Sequence, residues 1–218
     1  MKKKLLAVAC GFAAAGIMVG FYTYAFVIYR PPTVVAAASS TPGTADVYLQ
    51  TVPAYGSAPT PDWVSYFVRN SQGKWVHSTF FTVPAHSTIN VTIYQFDSAS
   101  GLRNPLWAQA RGTVGGTLTV NGKTTDEINN ADLAHSFAIP DLGLSVPLEG
   151  ISDTASNPCG AGPCANSFDH NTITFSFTTG GPGEYRWQCF VPCAAGFYQG
   201  FGGPMQTLGY MDGEMYVQ

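Results

Sequence analysis

Cys189 and Cys193 stand near the C-terminal end of the chain with three residues between them, and a Gly-rich stretch leads from them to Met205 and Met211. Two thiols and a thioether around one loop, joined by an imidazole from elsewhere, form a soft donor set suited to copper. Four histidines are available, His77, His86, His135 and His170. The competing reading is a Cys189–Cys193 disulfide, which the short loop permits and an oxidising compartment favours. Methionine near the loop (Met205, Met211, Met215) suits a soft metal, but methionine is also ordinary core filler. A second pair, Cys159 and Cys164, lies in Asn157-Pro158-Cys159-Gly160-Ala161-Gly162-Pro163-Cys164 with no histidine immediately beside it. That pair reads as a local disulfide. Cys10, inside an apolar run, reads as inert.

The elements that would position these groups are short strands. Charged residues make up 11% of the 218, while Gly, Pro, Ser and Thr are abundant and no amphipathic helical period is evident. Residues 64–69 and 74–83 have strand composition and are joined by the turn signal Asn70-Ser71-Gln72-Gly73. Residues 87–95 alternate Ile89, Val91 and Ile93 with polar side chains, and 172–178 alternate Ile173, Phe175 and Phe177. A hairpin is expected over 112–123, turning at Gly115-Gly116 or Asn121-Gly122, and further strands over 134–139, 184–190 and 214–218. Many short strands with Gly/Pro turns point to an all-β antiparallel sandwich.

The N-terminal part is different in kind. Residues 5–29 carry no charge and follow Lys2-Lys3-Lys4, so the expectation is one transmembrane helix within an anchor over 1–30. The lysines put that end in the cytoplasm and the remainder on the extracytoplasmic side of the cell membrane, as a single-pass protein. A signal peptide cleaved near Val35-Ala36-Ala37-Ala38 and a lipoprotein site at Cys10 are the alternatives weighed. Residues 31–61 read as an Ala/Ser/Thr/Pro-rich tether holding one strand, 46–52, and residues 62–218 as the exported domain.

Several functions are disfavoured at once. The formal net charge is −3, and beyond residue 30 there are 13 acidic and 6 basic side chains, a balance of −7. That argues against nucleic acid and suits a basic docking partner. The Gly-rich stretch 196–203 lacks the Lys-Ser/Thr ending of a phosphate loop. No Ser-His-Asp set or carboxylate pair is evident.

Three stretches together resemble one family. Pro182-Gly183-Glu184-Tyr185-Arg186, Cys-x3-Cys and Met-x-Gly before a final strand resemble the copper-binding end of cytochrome c oxidase subunit II. Val83-Pro84-Ala85 and Ala134-His135-Ser136-Phe137-Ala138-Ile139-Pro140 match upstream, so the resemblance runs over 83–218 with an insertion at about 94–132. It implies a cupredoxin-like Greek-key sandwich, with His135, Cys189, Cys193 and Met211 as metal ligands and Val191 offering its carbonyl. The family's second His position holds Leu208 here, or Phe197 when counted from Cys193 without a gap, which would also put Gly200 at the Met position. Met205 is a substitute donor, and His77, His86 and His170 read as ordinary histidines.

The expectation is therefore copper, with one ion, two or none left open. The leading reading is a membrane-anchored electron-transfer protein working with respiratory oxidase subunits or a small redox protein. The alternatives are a metal-free structural or assembly module locked by a Cys189–Cys193 disulfide, and a Cu(I) carrier. The insertion is left as a docking surface or a lid. Trp187 and Tyr185 read as core or as a surface for electron transfer, and Trp107 and Phe197 likewise.

Overall fold

A computed structural model describes residues 2–23, 33–56, 62–101, 104–193 and 202–218. The chain forms two units, Met1–Pro32 and Thr33–Gln218. In the first, a helix covers Lys2–Thr23. Among the described residues no helix is long and apolar enough to cross a membrane. The span expected over 5–29 is thus carried by sequence alone, and its last residues lie outside those described.

The second unit is a two-sheet β-sandwich. Its strands are β1 (Val35–Ala36), β2 (Ala38–Thr41), β3 (Thr44–Tyr55), β4 (Trp63–Arg69), β5 (Trp75–Val76), β6 (Phe80–Val83) and β7 (Thr88–Gln95), followed by β8 (Leu118–Val120), β9 (Lys123–Thr125), β10 (Leu133–Ile139), β11 (Leu144–Glu149), β12 (Asn171–Thr178), β13 (Gly183–Gln188) and β14 (Asp212–Val217). One sheet runs β1-β6-β14-β13-β10-β11, the other β5-β4-β3-β7-β12-β8-β9 with β2 also on β3. The pairings β3–β7, β6–β14 and β1–β6 are parallel. The sandwich is mixed rather than purely antiparallel, because the chain crosses to the opposite sheet between those partners.

The core follows from alternation. On β7 and β12 the paired residues Ile89↔Phe177, Val91↔Phe175 and Ile93↔Ile173 all face inward and are buried. Their neighbours Thr88, Asn90, Thr92, Thr174 and Ser176 point to the opposite face. The hairpin β8–β9 turns at Asn121-Gly122, both with positive φ (51° and 82°), as a two-residue hairpin turn requires.

Two expectations are corrected. Residues 31–61 do not act only as a tether: β3 is twelve residues long and lies inside its sheet between β4 and β7. Its buried Val47, Leu49 and Val52 outweigh the Ala/Ser/Thr composition of the flanks. Residues 74–83 are not one strand but β5 and β6, in different sheets. The break falls at Ser78 and Thr79, whose hydroxyls bond to the Thr33 and Asp212 carbonyls at 2.6 and 2.7 Å and carry the chain across.

Candidate metal centre

Strand β13 delivers the first cysteine. Tyr185, Trp187 and Cys189 share one side of the strand, whereas Glu184 and Arg186 on the other side are exposed. Trp187 is wholly buried against Tyr66, Phe81 and Phe137, with its indole N–H donating to the Thr79 carbonyl at 3.0 Å. That anchor fixes the height of Cys189, also wholly buried, whose backbone N–H donates to the Met211 carbonyl at 3.0 Å.

Strand β10 supplies the histidine. All seven of its residues are buried, and His135 shares a side with the core residues Phe137 and Ile139. Strands β10 and β13 pair at Ala138↔Gln188. Beyond that point Ser136 links them: its backbone N–H points at Cys189 Sγ (3.4 Å), and its hydroxyl accepts the Phe190 N–H at 2.9 Å. The same segment is gripped from behind by Tyr66, whose hydroxyl donates to the Ser136 carbonyl at 3.1 Å.

The result is one compact group. Cys189 Sγ and Cys193 Sγ are 3.5 Å apart and not bonded to each other. A ring nitrogen of His135 and both sulfurs lie within 4.8 Å of one another. The Val191 carbonyl oxygen sits 3.4 Å from Cys189 Sγ. On the far side of the ring, His135 Nε2 is 3.1 Å from Asp97 Oδ2, while Nδ1 is buried without a hydrogen-bond partner.

Charge is shared unequally across the group. Burial alone would neutralise His135, but the hydrogen bond to Asp97 and the neighbouring Cys189 outweigh it and push its pKa up to about 9. Cys189 is lowered well below an ordinary thiol: burial opposes ionisation, and the Cys193 S–H and His135 overcome it. Cys193 is raised in turn because it shares its proton with Cys189 and is itself buried. Tyr66 is raised by burial and by the negative charge of the two cysteines. The shifts favour positive charge on the ring and negative charge on Cys189 Sγ, and a soft cation would take the place of protons there.

The remaining candidates are placed as follows. Met211 and Met205 are both buried, and Met211 belongs to the same core cluster as Cys189. Leu208, at the family's second His position, is 42% exposed. Phe197 and Gly200 lie outside the described residues. His77 is clasped by the rings of Tyr55, Phe67 and Tyr210 and bonded to Ser65 Oγ at 2.8 Å, with its pKa lowered to about 4 by burial. His170 bonds the Phe168 carbonyl at 2.8 Å and lies against Phe96, and His86 occupies a turn with φ of 49°. Among the described residues, His135 is the one histidine grouped with the cysteines. Cys159 and Cys164 form a disulfide that seats its loop on Val52, Phe67 and Phe96.

Sequence reasoning missed two features. Asp97 follows β7 in one sheet and meets His135 of β10 in the other, and only the register of the sandwich brings them together. Trp107, in the insertion, stacks on Phe190 of the cysteine loop with ring centroids 5.3 Å apart and planes 5° off parallel. The insertion therefore touches the cysteine loop.

No family model matches the chain, and no curated protein matches it. Among solved structures, a rusticyanin described as a copper protein aligns at 15% identity, over 90% of this chain and 92% of that one, with a TM-score of 0.36. Rusticyanin from Thiobacillus ferrooxidans aligns at 16% identity over 90% and 92%, TM-score 0.34. Reduced rusticyanin aligns at 15% over 85% and 84%, TM-score 0.34. Likeness at this level assigns no function.

Proposed function

We propose that this chain is a cupredoxin-like electron-transfer protein that holds one copper ion between His135, Cys189 and Cys193. The observation that carries the reading is the trio itself: two unbonded sulfurs 3.5 Å apart and an unpartnered imidazole nitrogen, with His135 and Cys189 in the core and Cys193 half-buried at its edge. The donor set fits copper, since thiolate and imidazole both favour it. Met211 and Met205 are the thioethers that would complete the site, and the Val191 carbonyl is a further weak donor. With Leu208 exposed and no second histidine grouped with the cysteines among the described residues, the donors favour one ion over two.

Copper would supply the chemistry by alternating between Cu(I) and Cu(II), one electron at a time. The residues hold the donors still. Trp187 fixes Cys189, the Ser136 hydroxyl ties Phe190 to β10, and the Ser136 N–H faces Cys189 Sγ, where it would withdraw charge from the sulfur. Ligands held this way change little between oxidation states, and electron transfer is faster for it.

The finer reading places this domain outside the cell, anchored by the uncharged N-terminal run, as a subunit or donor of a respiratory oxidase. The three lysines before that run and the cytochrome oxidase subunit II-like segments support it. The Cys159–Cys164 disulfide suits an oxidising compartment. The test is copper stoichiometry on the full chain, reduced and in detergent. One equivalent bound with loss of two titratable thiols supports the proposal; no uptake returns the molecule to a metal-free structural module.

A further inference from the structure

The His135 ring is fixed on one side by a group that the donor set does not include. Neutral imidazole carries one N–H and one lone pair, and the partner of one nitrogen decides which role the other plays. Here Nε2 faces Asp97 Oδ2 at 3.1 Å, and the nitrogen left over, Nδ1, is buried and unpartnered. A buried polar atom without a partner is costly and calls for an explanation. A soft cation held with the two cysteine sulfurs supplies one.

Asp97 is itself held from several directions. Its Oδ1 accepts the Ser98 N–H at 2.8 Å, so that one oxygen is used locally and the other is free for His135. Its carbonyl accepts from Gln95 Nε2 at 3.1 Å and from the Ile151 N–H at 3.0 Å. The preceding Phe96 is buried and donates its N–H to the Thr51 carbonyl at 3.0 Å. On the other side Gly150 presses against Ser98 and Ala99 so closely that a Cβ there would collide with backbone. A carboxylate held this firmly gives the ring one orientation.

We propose that Asp97 is the positioning residue of the centre, accepting Nε2–H of His135 so that the Nδ1 lone pair is presented to the metal beside Cys189 and Cys193. This rests on the metal-binding reading above. Asp97 touches no metal in this arrangement; it acts through His135. A purely structural ion pair would use the same contact, and the test separates the two.

The full chain, with reduced thiols, is loaded with Cu(I), and nitrogen NMR of labelled histidine reports which ring nitrogen of His135 is metal-bound and which carries a proton. Copper affinity is measured for wild type, Asp97→Asn and Asp97→Ala. The expected result is Nδ1 bound and Nε2 protonated, with Asp97→Ala weakening copper by about 10- to 100-fold. Asp97→Asn retains an acceptor oxygen and is expected to restore most of that loss and the wild-type nitrogen pattern. The proposal is overturned if Nε2 is the bound nitrogen. It is equally overturned if both variants bind copper within about twofold of wild type, even when they are less heat-stable, because that is the mark of a structural pair. Absence of Cu(I) uptake by wild type is a different result and removes the metal-binding reading together with this one.

Discussion

The chain beyond residue 33 carries two cysteine pairs of nearly equal spacing that the fold treats in opposite ways. Cys159 and Cys164 close a disulfide in a Gly/Pro loop seated on Val52, Phe67 and Phe96. Cys189 and Cys193 stay unbonded at 3.5 Å, with Cys189 in the core beside His135. Spacing does not set the difference. At the first pair the polar partners are backbone and an amide: Gln50 Oε1 accepts the Cys164 N–H at 2.7 Å, and no histidine is grouped with it among the described residues. At the second, a positive imidazole and the Ser136 N–H favour a thiolate. One pair closes a loop; the other gathers donors.

The comparison can be broken most sharply by substitution. Cys189→Ser removes a thiolate at the centre of the group and is expected to weaken copper binding on the order of 100-fold or more, read by competition titration. The double change Cys159→Ser with Cys164→Ser is expected to leave copper affinity within about threefold while costing about 2 kcal/mol of stability. For a domain of this size that is a melting temperature lower by about 4–8 °C. The comparison fails if the loop double variant loses copper and Cys189→Ser keeps it.

A smaller effect lies in pH. Metal-free, His135 has its pKa raised to about 9, against an ordinary histidine near 6.5. Its contribution to stability is therefore complete below about pH 6.5 and is lost as pH rises through about 9. Denaturant unfolding of the metal-free chain between these values should show a decline that His135→Gln flattens. An unchanged slope in that variant would mean that the contacts of His135 with Asp97 and Cys189 do not hold its proton in solution. Smaller still is Ser136→Ala, which leaves the Phe190 N–H without its side-chain acceptor. A loss of about 1 kcal/mol is expected, with copper retained.

How much of this was legible in the sequence varies by element. Strands β7 and β12 declared themselves because each has one wet face and one dry one, and alternation is visible only then. Strand β10 is buried at all seven positions, so its pattern is nearly silent, and only the His-Ser-Phe resemblance marks His135. Strand β3 reads as a tether with one short strand because Ala, Ser, Thr and Pro around it imitate a linker. Residues 74–83 read as one strand because nothing local announces that the hydroxyls of Ser78 and Thr79 carry the chain between sheets. Asp97 was invisible for the same reason on a larger scale: its partner is 38 residues away on the opposite sheet. The cysteine and methionine donors were legible by type, while the exposure of Leu208 was not.

The most direct test of the central claim is a copper titration of the reduced full chain, followed by visible absorption and electron spin resonance together. The account predicts thiolate-to-copper absorption that saturates at one copper per chain, with the resonance of a single Cu(II) coupled to one nucleus. A colourless protein without bound copper, its Cys189 and Cys193 joined on oxidation, would contradict it.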